Sequence, residues 1–126
     1  MKTINNNIFV VVIFFLFVCF TFNNYSQTEN PKYSVSEAKY HIDEYATVSG
    51  TVSQVFISKK GTVFFNMGGF YPKHTFTAVI FKNDVKNFSD VYKYEGKEVD
   101  ITGIIKMYQG KPEIILKSPN QIKILY

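Results

Sequence analysis

YATVSGTVSQV, residues 45–55, is the stretch that decides the fold. Ala46, Val48, Gly50 and Val52 fall on one face of an extended chain, and Thr47, Ser49, Thr51 and Ser53 on the other. This period of two marks a half-buried strand. At Gln54 the phase slips, and Val55 and Ile57 carry the apolar count on the opposite parity. A one-residue slip predicts a bulge or sharp coil, so that one strand serves both halves of a small closed sheet. VDITGIIKMY, residues 99–108, repeats the pattern with Gly103 in the position of Gly50. In a tight barrel, side chains from opposing strands compete for the interior, and a glycine lets a strand coil sharply. Gly50 and Gly103 are therefore expected to be structural.

Around these two segments the chain alternates between strands and breakers. Residues 62–68, TVFFNMG, and 75–81, TFTAVIF, read as the second and third strands, the latter apolar on both faces. GGFYPKH between them is a loop broken by Gly68, Gly69 and Pro72. Residues 97–108 make the fourth strand, QGKP a turn, 113–117 the fifth strand, and SPNQIKIL a turn with a short final strand. Val35, Ala38 and Ile42, spaced three and four apart behind Ser34 and Ser36, predict a short amphipathic helix. Asp84 is placed to cap a second short helix over residues 85–94. The expected fold is all-β: a five-stranded OB-fold barrel with a short N-terminal helix and a short helix between strands 3 and 4.

The amino terminus has a different character. Lys2 precedes an unbroken apolar run at residues 8–22, followed at once by NNYSQTENPK. That is the layout of a secretory signal peptide, with cleavage expected after Ser26. Fifteen apolar residues fall short of the roughly 20 that span a bilayer. An uncleaved anchor and a lipidated Cys19 are the alternatives, and all three place the domain outside the cytoplasm, periplasmic or secreted. The expected division is a signal peptide over 1–26, a flexible lead-in over 27–33 and the OB-fold domain over 34–126. With the leader removed the mature chain has no transmembrane segment and no cysteine, so its core must form without disulfides.

The matching segments SEAKYHIDEYATVSGTVSQV, FFNMGGFYPKHTFTAVIF, YEGKEVDITGIIKMYQGKPEIIL and SPNQI cover most of residues 36–122. In strand order and glycine placement the chain resembles the bacterial OB-fold nucleic-acid-binding family, similar in layout to anticodon-binding OB domains. The resemblance implies a single-stranded DNA or RNA ligand carried by strands two and three and by the loops joining strands one to two and four to five. By position it implies Lys59, Lys60, Phe65, Met67, Phe81, Lys82, Tyr108, Gln109 and Lys111 as the binding residues. An exported protein meets little cellular RNA, and exported OB folds also bind envelope proteins or small ligands, which stays open as the alternative.

The residues themselves are compatible with either ligand. Single-strand binding needs cations for phosphates and exposed rings for bases. Lys59 and Lys60 sit in one turn and Lys111 beside another, where Tyr108 is the best placed ring. Phe64 and Phe65 are adjacent, so only one of them faces inward. Phe70 and Tyr71, in a loop, read either as rings that stack on bases or, the favoured reading, with Tyr71-Pro72 as a plug for one end of the barrel. The charge is modest, +4 for the whole chain and all of the positive residues lysine, and the lysines interleave with Asp84, Asp90 and Glu95. No enzymatic activity, metal or cofactor is expected: His41 and His74 stand apart, and no cysteine remains beside them.

Overall fold

In the computed structural model, which describes residues 28–126, Tyr45–Ile57 is a single 13-residue strand, β2. Its first half pairs antiparallel with β5, Glu98–Ile104, in register from Tyr45 opposite Ile104 to Thr51 opposite Glu98. Its second half pairs antiparallel with β3, Val63–Met67. The expected slip is there: Val52 pairs with Met67 and Gln54 with Asn66, leaving Ser53 as the extra residue. One extra residue reverses the faces of everything that follows it. Val48 and Val52 are buried before the bulge and Val55 after it, so Gln54 and Phe56 turn to the opposite side of the sheet.

The remaining strands are β1, Lys32–Ser34; β4, Phe76–Ile80; β6, Lys106–Tyr108; β7, Lys111–Ile115; and β8, Ile122–Ile124. The ladder runs β6-β7-β4-β3-β2-β5-β8, with β1 added on β2. β4 pairs with β7 and β1 with β2 in parallel; the other pairs are antiparallel. This corrects the expected five-stranded closed barrel. The sheet is mixed, has eight strands, and its ladder does not return on itself. The physical reason lies at Ile105, in the middle of the expected fourth strand. Its N–H donates to Glu44 O at 3.0 Å and its carbonyl accepts from Asp43 N at 2.7 Å, while its side chain is fully buried. The strand therefore breaks into β5, which pairs with β2 and β8, and β6, which pairs with β7.

The two expected helices are also corrected. Between β1 and β2 the chain forms only a 3-10 turn at Ala38–Tyr40, because Asp43 and Glu44 are held by Ile105 and Asp43 takes a φ of +68° to reach it. Between β4 and β5 stand two 3-10 turns, Lys82–Asn87 and Val91–Tyr94. Asp90, rather than Asp84, caps the second by accepting from Tyr92 N at 3.0 Å. Val91 and Tyr94, the ends of the second turn, are buried at a spacing of three, the repeat of a 3-10 helix rather than an α-helix. The expected lead-in at residues 27–33 ends in β1, where Thr47 N donates to Pro31 O at 2.9 Å. The signal peptide and Cys19 lie outside the described residues. Among the described residues no helix is long and apolar enough to cross a membrane.

The core lies on one side of the curved sheet. Phe65, Met67, Phe76, Ile80, Ile101, Ile105, Ile114 and Leu116 fill it without exposed surface. Gly50 and Gly103 face neighbouring side chains closely, as a crowded interior requires: a Cβ on Gly50 would lie 2.7 Å from Val35 Cγ1. β4 is buried on both faces, Phe76, Ala78 and Ile80 toward the core and Thr77 and Val79 away from it. Thr77, on that second face, forms part of the floor of a pocket.

Candidate functional site

The second face of the sheet carries a row of polar residues. Gln54 on β2 is opposite Asn66 on β3, Asn66 opposite Thr77 on β4, and Thr77 opposite Glu113 on β7. Four strands at the usual spacing put the ends of this row roughly 14 Å apart. Asn66 Nδ2 donates to Gln54 Oε1 at 3.1 Å, and Thr77 Oγ1 makes a long 3.5 Å contact with Asn66 Oδ1. Asn66 and Thr77 are both buried. A polar row in the middle of a sheet is costly to desolvate unless its groups are partnered. Gln54, Asn66 and Thr77 are partnered to one another, and the row stands beneath a pocket of about 510 Å³.

Aromatic rings wall the pocket. Phe56 and Phe64, paired across β2 and β3, stand with ring centroids 6.1 Å apart. Opposite them are Tyr71, stacked with His74 at 5.8 Å, and Tyr108 from the end of β6. Tyr71 N donates to Gln54 Oε1 at 3.2 Å and Gly69 N to Ser53 Oγ at 3.3 Å, so the bulge in β2 also anchors the loop that brings Tyr71 over the sheet. Phe56, Tyr71 and Tyr108 are all more than half exposed. Rings with open faces in a concave site offer stacking surfaces for a planar ligand.

The electrostatics are those of a small, mostly neutral site. The Lys111 amino group donates to the Pro72 carbonyl and lies 3.4 Å from His74 Nδ1. Burial, and secondarily the Lys111 charge, hold the His74 imidazole below its ordinary range. Burial alone pushes the Glu113 carboxyl up.

The structure divides the residues named from sequence into three groups. Tyr108, Gln109 and Lys111 line the pocket. Phe65 and Met67 are wholly buried in the core, Phe65 edge-on to Tyr94 at 5.3 Å, out of reach of any ligand. Lys59 and Lys60 are exposed in the turn at residues 58–61, with the Lys82 stem beside Gly61 and Phe81 half exposed at the end of β4. This second cluster lies outside the pocket lining. Phe64, not Phe65, turns to the pocket. Sequence reasoning missed Gln54, Phe56, Asn66, Thr77 and Glu113, and took Tyr71 for a plug. The signal for Gln54 and Phe56 was present in the phase slip, which reverses their face. Among the described residues no group of three or more histidine, cysteine, aspartate or glutamate side chains is placed to hold a metal ion.

No family model matches the chain, and no curated protein matches it by sequence. Solved structures do resemble it. A protein described as an aspartyl-tRNA synthetase from Leishmania major Friedlin aligns over 81% of this chain and 22% of its own, at 13% identity and a TM-score of 0.52. The likeness is one of fold. In fold the chain resembles OB-fold-like domains. The aspartyl tRNA synthetase of Entamoeba histolytica aligns over 78% of this chain and 22% of its own, at 16% identity and a TM-score of 0.48. The hypothetical protein ygiW from E. coli aligns over 73% of this chain and 87% of its own, at 18% identity and a TM-score of 0.44. The chain thus spans about a fifth of the length of the synthetases it matches.

Proposed function

We propose that this chain is an exported binding module that takes single-stranded nucleic acid, with bases inserted between the rings of the pocket on β2, β3, β4 and β7. The observation that carries the reading is the position of that pocket. Phe64 and Asn66 lie on β3 and Thr77 on its neighbour β4, with Tyr108, Gln109 and Lys111 at the turn joining β6 to β7. OB folds bind oligonucleotides on this strand face with this loop. Rings at Phe56, Phe64, Tyr71 and Tyr108 supply stacking, worth about 1–3 kcal/mol per base. Lys111 at the rim, and Lys59, Lys60 and Lys82 at the far end of the strands, supply cations for phosphates. Export is supported by the leader-like amino terminus. The even spread of the lysines favours a second reading, a small ligand or an envelope protein in the same pocket.

The test is fluorescence anisotropy of the full chain, kept soluble in mild detergent, with labelled single-stranded DNA and RNA at two salt concentrations. Expected is micromolar or tighter binding that weakens with salt at a log–log slope of about −3, as for four phosphate contacts on a single strand. Tyr108→Ala is expected to weaken it further, whereas Lys59→Ala with Lys60→Ala is expected to flatten the slope. No binding at the lower salt would overturn this reading in favour of the second.

A further inference from the structure

Among the described residues Glu113 is the one carboxylate in the pocket lining, and none of them bonds to its side chain there. Its neighbour across the β6–β7 ladder is Lys106, whose amino group instead donates to Asp43 Oδ1 at 2.8 Å. Lys111, two residues away, gives its amino group to Pro72 O and His74. Burial pushes the Glu113 carboxyl up. Two lysines within reach are thus committed elsewhere, and an acceptor-only group faces a ring-walled slot. Beside it on the sheet, Thr77 and Asn66 add a hydroxyl and an amide with a free N–H.

A carboxylate in such a place discriminates among bases by simple geometry. Its two oxygens match two adjacent N–H donors. Guanine offers that pair, N1–H and the N2 amino group, beside an O6 that accepts from the Asn66 amide or Thr77 hydroxyl. Adenine and cytosine put a ring acceptor next to their amino group, and thymine and uracil flank one N–H with two carbonyls, so each brings a lone pair against a carboxylate oxygen. A guanidinium also presents paired donors, but the Lys111 ammonium at the rim and the net positive charge of the chain oppose a cationic ligand.

We propose that Glu113 makes this pocket select guanine, accepting its N1–H and N2–H donors from the end of the Gln54–Asn66–Thr77–Glu113 row. The inference rests on the nucleic-acid reading above.

The experiment uses the full chain and thymine oligonucleotides of one length that carry a single central guanine, inosine, adenine or thymine. Inosine lacks only the N2 amino group. Guanine is expected to bind about tenfold or more tighter than inosine, the cost of one hydrogen bond to a charged acceptor, with adenine and thymine weaker again. Glu113→Gln, whose amide offers one acceptor and one donor in place of two acceptors, is expected to reduce the preference for guanine over inosine to within about twofold. Equal binding of guanine and inosine by the unaltered protein would overturn the inference and leave single-strand binding standing. A guanine preference that survives in Glu113→Gln would also overturn it. Absence of binding by every strand would remove both readings together. The inosine comparison needs no substitution, so it decides the matter even if the variant folds poorly.

Discussion

Ile114 Cγ2 lies 2.6 Å from the point where a Cβ on Gly103 would stand, with Gln121 Nε2 3.3 Å away on the other side. β5 crosses over β7 at this point with no room for a methyl group. Gln121 cannot easily give way, because its Nε2 donates to Thr102 O and Ile115 O, both at 3.1 Å. At Gly50 the corresponding neighbours are Val35 Cγ1 at 2.7 Å and the tip of Met67 at 3.2 Å, and the flexible methionine tip moves more cheaply. Gly103→Ala is therefore expected to destabilise the protein by about 1–3 kcal/mol, the range of overpacked cores, and Gly50→Ala by less. Urea denaturation of the two variants checks the order.

Phe64 and Phe65 are neighbours in the chain with opposite duties. Phe65 has no exposed surface, and its replacement by alanine is expected to cost about 3–5 kcal/mol of stability. Phe64 lines the pocket against Phe56. Phe64→Ala is expected to lower the affinity for single-stranded DNA about fivefold or more, the value of a lost stack, with a far smaller shift of the urea midpoint. Anisotropy and denaturation on the same pair of variants separate the two roles.

Tyr33 and His41 stack face to face, with centroids 3.6 Å apart, over the Glu44 carboxylate. The Tyr33 hydroxyl donates to Glu44, and His41 Nδ1 lies 2.9 Å from its other oxygen. The tyrosine bond first, and the histidine after it, hold this carboxyl below its usual range against the opposing effect of burial. A depressed carboxylate stabilises the fold above its unfolded-state value, and that stability is lost as pH falls through the folded value. The same bond raises the Tyr33 phenol, whose contribution is present below its unfolded-state value and lost as pH rises through the folded one. Tyr33→Phe is thus expected to lower the urea midpoint at neutral pH, with the gap from the unaltered protein closing toward both acid and strong alkali.

His74 gives a site-specific titration. Burial is the larger cause of its lowered value and Lys111 the smaller. Its imidazole is expected to stay neutral at a pH where a free histidine is half protonated, visible in its ring-proton chemical shifts by NMR. Because the unfolded chain binds that proton more readily, stability attributable to His74 falls as pH drops from the ordinary imidazole range to the lowered one. Lys111→Ala is expected to move the titration upward only part of the way, as burial remains.

Much of the scaffold was legible in the chain. The alternation from Ala46 to Val52, its reversal at Gln54, the two-sided apolarity of residues 75–81 and the paired glycines are patterns among near neighbours, and a strand's faces follow from such patterns because its side chains alternate. The short last strand after SPNQ was readable for the same reason, and Ser118 and Gln121 do form a capping box there. The helices were misread where a distant backbone took precedence: the Ile105 bonds to Asp43 and Glu44 join segments some sixty residues apart, and nothing in either segment alone announces them.

The pocket shows the same division more sharply. That residues 106–111 would offer a ring and a lysine at a turn is a local matter, and Tyr108, Gln109 and Lys111 line the pocket. Gln54, Asn66, Thr77 and Glu113 form one row only because four strands from across the chain come into register. Local periodicity sets which way each side chain points, since it depends on covalent geometry. Which side chains meet, and whether the sheet closes, depends on long-range pairing and on the crowding of a shared core, and those exist only in the folded chain.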